Sequence, residues 1–262
     1  MRYRSYERGI FLLHTDRFDE AAELFESLVA AAPDDSEAWQ RLAVSYVGAG
    51  KPEMALKSAE EAVRLNPEKT DLLIFLGGIH SLLNRSEEAL QAYDSAILLD
   101  PTKTRAWISK IVALLLSGRS EEAKECYLVG VETAPALRDS EDWNDVALGL
   151  YESEKYDESA RVLSFLIELE PDEISYKINL LRPLTRLEKY ELVLEISEEI
   201  IQEMPALPLA WVVKGVAYLG LGRYEEALGS FDRALKLDPS NRETVDLRAR
   251  TREYMEEEMG EG

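Results

Sequence analysis

Over residues 36–67 the apolar positions fall into two successive helical patterns. Trp39, Leu42, Ala43 and Tyr46 recur at helical spacing, and Gly50 breaks the helix. After it Ala55, Ala59 and Ala62 lie along one face of a second helix, which Asn66-Pro67 ends. Proline stops a helix because it has no N–H and biases the preceding residue out of the α region. The pattern predicts two helices joined by a short turn, neither able to fold alone.

The pattern repeats. Pro33, Pro67, Pro101, Pro135, Pro171, Pro205 and Pro239 are separated by 34, 34, 34, 36, 34 and 34 residues. The one deviation is a two-residue insertion within ALRDSED, residues 136–142. Seven copies are expected, at about 2–35, 36–69, 70–103, 104–139, 140–173, 174–207 and 208–241. Residues 242–258, rich in charge and with sparse Val245, Leu247 and Ala249, predict a helix that caps the last copy with a polar outer face, followed by a flexible tail at 259–262. The N-terminal end has no such cap, so it is expected to be covered by a partner, covered by a second copy of the chain, or exposed.

Each turn inside a copy carries the same charges. A cation (Arg17, Lys51, Arg85, Arg119, Lys155, Lys189 or Arg223) is followed two residues later by an acid (Asp19, Glu53, Glu87, Glu121, Asp157, Glu191 or Glu225). The helix macrodipole accounts for both, since it favours a cation past one C-terminus and an anion in the next first turn. A basic ring along one edge is the other reading.

This periodic pattern resembles the tetratricopeptide repeat. Trp211, Gly215, Tyr218, Ala227, Phe231, Ala234 and Pro239 fit the family's positions in the last copy. Leu76, Gly77, Ala89, Tyr93, Ala96 and Pro101 fit them in the third, and Trp107, Ala123, Tyr127 and Pro135 in the fourth. The sixth copy diverges most, with Leu181, Leu184, Val193 and Ile200 at those places. The resemblance implies an all-α, right-handed α-solenoid superhelix in a single domain, with the first helix of each copy lining a concave side. Stacking of neighbours would bury a continuous core that no copy builds alone.

Composition narrows the function. With 51 acids against 30 bases, a net charge of −21, the surface repels nucleic-acid phosphates and anionic membranes and suits a basic partner. Cys126 is the only cysteine, so an internal disulfide and a multi-thiolate metal site are both excluded. The N-terminal residues lack the apolar core of a signal peptide, and the longest apolar run, Leu72–Leu83, falls short of the ~20 residues of a membrane span. A soluble, cytoplasmic protein is expected. No catalytic constellation, metal site or cofactor motif emerges. His14 and His80 have no second ligand at useful spacing, and His80 stands at a core position. Cys126 reads as a small buried filler. Gly220 and Gly222 lack the strand before and the lysine–serine after that a phosphate loop needs.

What remains is recognition of a protein or peptide on the first helices. Ile74, Phe75 and Gly78 of the third copy and Ile108, Val112 and Leu115 of the fourth occupy positions between the core residues. Two readings stand side by side: a groove for an apolar or amphipathic helical segment, or packing between repeats of a tightly wound solenoid. The fifth and sixth copies are polar there, with Glu141, Asn144, Asp145, Tyr151, Asn179, Arg182 and Arg186. Pro183 inside a first helix is expected to kink it and to free the carbonyl of Asn179. Arg182 and Asn179 then read a carboxylate or a backbone amide, unless Asp145–Arg182 or Glu152–Arg186 pairs consume the charges. The carboxylate clamp of the family's best-known peptide binders is absent from the first three copies, where Tyr6, Ile10, Arg41, Asp71 and Phe75 take its places. The expected function is a non-catalytic scaffold or adaptor. A self-associating homodimer and a docking subunit of an enzyme complex are the alternatives.

Overall fold

A computed structural model describes residues 2–138 and 141–260. Among them are fifteen α-helices, one short 3-10 turn (Pro135–Leu137) and no strand. The chain forms two compact units that divide between Asp142 and Trp143.

The first unit holds α1 (Arg2–His14), α2 (Phe18–Ala31), α3 (Ser36–Gly48), α4 (Pro52–Leu65), α5 (Thr70–Leu82), α6 (Ser86–Leu99), α7 (Thr104–Leu116) and α8 (Ser120–Thr133). The second holds all but the first residues of α9 (Glu141–Glu152), then α10 (Tyr156–Leu169), α11 (Ile174–Arg186), α12 (Tyr190–Glu203), α13 (Pro208–Gly220), α14 (Tyr224–Leu237) and α15 (Arg242–Gly260). Within each unit successive helices pack on one another.

The turn chemistry explains the helix ends. Asp16, Gly50, Asn84, Gly118, Glu154, Glu188 and Gly222 all have positive φ, from 55° to 77°. Each directly precedes the cation of its turn, whose backbone N–H reaches five residues back, as from Lys51 to the Tyr46 carbonyl at 2.8 Å. Gly50 N–H meanwhile reaches Val47. This is the Schellman closure, which satisfies the last carbonyls of the first helix.

Charge then ties copy to copy. The cation of one turn pairs with the acid of the preceding turn: Lys51–Asp19 at 2.7 Å, Arg85–Glu53 at 3.1 Å, Arg119–Glu87 at 2.9 Å and Lys189–Asp157 at 3.9 Å. Arg119 also holds Glu122 within its own turn. The macrodipole is therefore not the whole reason for the repeated charges. The prolines are tied in as well: the indole N–H groups of Trp39, Trp107 and Trp211 donate to the carbonyls of Pro33, Pro101 and Pro205 at 2.9, 2.8 and 3.1 Å.

The core is built by exchange of volume between the two helices of a copy. Gly215 on α13 faces Phe231 on α14, and a Cβ there would stand 2.5 Å from the ring. Gly77 and Tyr93 repeat the arrangement. At the equivalent places of the divergent sixth copy the sizes are reversed, with Leu181 on α11 and Ser197 on α12, both buried. The space is filled either way, as close-packed interiors require.

The C-terminal helix docks differently from expectation. Val245 and Ala249 are exposed, while Thr244 and Thr251, seven apart, are buried with Leu247 and Arg248 half-buried between them. Apolar side chains alone do not report the buried stripe of so polar a helix. Residues 259 and 260 of the expected tail continue α15, and residues 261–262 lie outside the described ones. Of the 136–142 insertion, residues 139 and 140 also lie outside them. No helix among the described residues is long and apolar enough to cross a membrane.

Candidate partner-binding site

The six apolar candidates separate into two groups. Ile74, Ile108 and Leu115 are buried, the last two only 1 % exposed. They are interior side chains rather than groove lining, because α5 is packed by α4, α6 and α7, and α7 by α5, α6 and α8. A helix packed by three neighbours is apolar over most of its circumference, which accounts for the composition of these segments. Phe75 is half-buried against the core of the first helices, and Gly78 and Val112 are half-buried too.

The polar candidates come together. Asn144, Asp145, Leu148 and Tyr151 lie on one face of α9, and Asn179, Arg182 and Pro183 on one face of α11. With Leu163 of α10 as an apolar floor they enclose a cavity of about 280 Å³. The spacing of Asn144, Leu148 and Tyr151 is i, i+4, i+7, so a single helix face supplies that wall. The α9–α10 contact below it is fixed by the buried Ser159 hydroxyl, which donates to the Ala147 carbonyl at 2.8 Å.

Hydrogen-bond capacity remains free in this cavity. The Asn179 amide donates to Asn144 Oδ1 at 2.8 Å, which fixes both side chains and leaves the Asn144 NH₂ unspent. Arg186 Nε donates to the Tyr151 hydroxyl at 3.3 Å, and the Arg186 guanidinium carbon lies 5.9 Å from the Tyr156 ring centre. Tyr151 and Tyr156 pack with ring centres 5.2 Å apart. The hydrogen bond to Tyr151 raises the Arg186 guanidinium above its ordinary value. Neither expected ion pair forms. Arg182 and Asp145 are exposed and have no partner among the described residues, and Arg186 takes Tyr151 rather than Glu152. The side chain of Glu141 lies outside the described ones.

Helix α11 runs unbroken through Pro183, which is buried. Pro183 brings no N–H to the carbonyl of Asn179, four residues back, so that carbonyl lacks its helical partner beside the cavity. Leu148 and Leu163 escaped the sequence reading. The signal for Leu148 was its i+4 spacing from Asn144, which polar side chains masked, whereas Leu163 stands on α10 and no spacing within α9 points to it.

Elsewhere, Cys126 is buried and its thiol is pushed up to about 11 by burial. His80 is half-buried and lowered from its ordinary value by desolvation, in keeping with a core position, whereas His14 is exposed. No group of three His, Cys, Asp or Glu side chains among the described residues is placed to hold a metal ion.

Paired helices joined by Schellman turns, repeated at 34 residues, define a helical-repeat protein, a class that serves generally as protein–protein interaction scaffolds. Tetratricopeptide-repeat models match residues 5–45, 41–103 and 208–241. The chain belongs to the tetratricopeptide repeat family. Its fold is similar to that of a tetratricopeptide repeat protein from Parabacteroides merdae, with TM-score 0.52, 17% identity, and 95% of this chain and 98% of that one covered. It is also similar to the C-terminal part of a repeat-containing protein from Cytophaga hutchinsonii, with TM-score 0.50, 20% identity, and 92% and 98% covered. No curated protein sequence matches the chain.

Proposed function

We propose that this protein is a scaffold that holds a peptide segment of a partner protein against α9 and α11. The observation that carries the reading is the Asn179–Asn144 pair flanked by unpaired Arg182 and Asp145 over a leucine floor. Polar groups held in place but unsatisfied are what a binding surface presents, since ordering costs are met before the partner arrives. Arg182, the Asn144 amide and the Tyr151 hydroxyl offer donors to a carboxylate or a peptide carbonyl. Asp145 and the Asn179 carbonyl accept from a peptide N–H or a basic side chain. Leu148 and Leu163 take an apolar side chain between them.

The partner is a protein rather than nucleic acid or an anionic membrane, because a chain of net charge −21 repels phosphate. The chemistry within reach binds and does not transform, so the scaffold is read as non-catalytic.

Selection of peptides from a displayed random library tests this. Selected peptides should bind wild type and lose about tenfold or more in affinity on Asn179→Ala and on Arg182→Ala, since a hydrogen bond to a charged group contributes roughly 1.5–3 kcal/mol. Peptides that bind both variants as tightly as wild type would overturn the reading.

A further inference from the structure

We infer that the first unit carries a separate docking groove, between α6 and α8 over α7, for a basic amphipathic helix of a partner protein. The groove is an open cavity of about 470 Å³. Its floor is apolar: Leu90 from α6, Trp107 and Leu114 from α7, and Cys126 from α8, all buried. At its edge Val129 is 54% exposed, and the adjoining Leu128 on α8 is 60% exposed. Two neighbouring large apolar side chains open to solvent on one helix mark a place that something covers.

Charge selects the occupant. Four carboxylates, of Glu87, Asp94, Glu122 and Glu125, line the groove against two cations. Both cations are already spent: Lys110 holds Asp94 at 2.6 Å, and Arg119 holds Glu87 and Glu122. Glu125, exposed on α8 one turn before Val129, has no cation among the described residues. A free carboxylate four residues from an exposed valine asks for a cation beside an apolar anchor. A helix with apolar residues at i, i+3, i+4 and i+7 and lysine or arginine flanking them supplies both. A second copy of this acidic chain is disfavoured on the same ground. The inference is independent of the α9–α11 site, which shares no residue with this groove.

The chain's one cysteine forms part of the floor, so its alkylation reports occupancy. The probe is a synthetic leucine–lysine amphipathic helix, with the same peptide carrying glutamate for lysine as its counterpart. In 150 mM salt the lysine peptide should bind wild type and slow alkylation of Cys126 more than tenfold at saturation, while the glutamate peptide does neither. Glu125→Lys and Val129→Glu, both at exposed positions, should each weaken the lysine peptide about tenfold. Binding that leaves Cys126 alkylation unchanged, or is equal in both variants, would overturn the inference as diffuse charge attraction. Concentration-dependent dimerisation abolished by Val129→Glu would overturn it in favour of a self-contact.

Discussion

The side-chain amide of Asn179 on α11 donates to Oδ1 of Asn144 on α9 at 2.8 Å, across 35 residues of sequence. The bond fixes two amides at the mouth of one cavity and leaves both amide hydrogens of Asn144 for a ligand. Asn144→Ala should therefore weaken peptide binding about as much as Asn179→Ala, and the double variant little more than either alone. Fluorescence anisotropy on the double-mutant cycle checks this. Full additivity would show that the two side chains act separately.

Glu188 closes a Schellman turn at φ 56°, where glycine serves other copies. A side chain in that region costs on the order of 1 kcal/mol. Glu188→Gly should raise stability by about 0.5–1 kcal/mol in urea unfolding, although glycine loosens the unfolded chain. Gly222→Ala, at φ 71°, should lower it by a similar amount.

Gly215 leaves no room for a methyl group under Phe231. Gly215→Ala should cost about 1–3 kcal/mol through overpacking. Adding Phe231→Leu should recover part of that loss, because the smaller side chain releases the space the alanine needs. Urea unfolding of both variants measures it.

The turn-to-turn ion pairs are exposed and should contribute little singly. Arg85→Ala should cost no more than about 1 kcal/mol at low salt, with the difference shrinking toward 1 M salt. A large, salt-independent loss would mean that Arg85 acts through packing.

Burial raises the Cys126 thiol from its ordinary value to about 11. The folded state therefore disfavours the thiolate. Stability from this group is full below the unfolded value and falls as pH rises between about 9 and 11. Cys126→Ala should flatten the alkaline decline of the unfolding midpoint over that window. An unchanged slope would contradict the assignment.

Much of the fold was written in spacing. Pro67, Pro101 and their counterparts mark helix ends, and Gly77 with Tyr93 marks a helix crossing, because local backbone chemistry fixes both. The turn cations were visible too, but their partners one copy back were not. Nothing in a single turn states that Lys51 lies beside Asp19. At Ile74, Ile108 and Leu115 the choice between groove lining and packing between repeats stayed open in the sequence, because a mostly apolar helix has no polar stripe to show which side is covered. In α15 the reverse held, where Thr244 and Thr251 are the buried side chains and Val245 is not. The polar node was legible as a set of residues. Its pairing was not, since whether Arg186 meets Glu152 or Tyr151 depends on side-chain geometry across two helices.

The most direct test of the central claim is a backbone amide NMR map of the chain titrated with a peptide selected for binding. The account predicts that the largest shifts fall on Asn144, Asp145, Leu148, Tyr151, Asn179 and Arg182, and that Arg182→Ala moves their titration to about tenfold or more higher peptide concentration. Shifts that leave these residues still while the peptide binds elsewhere would contradict it.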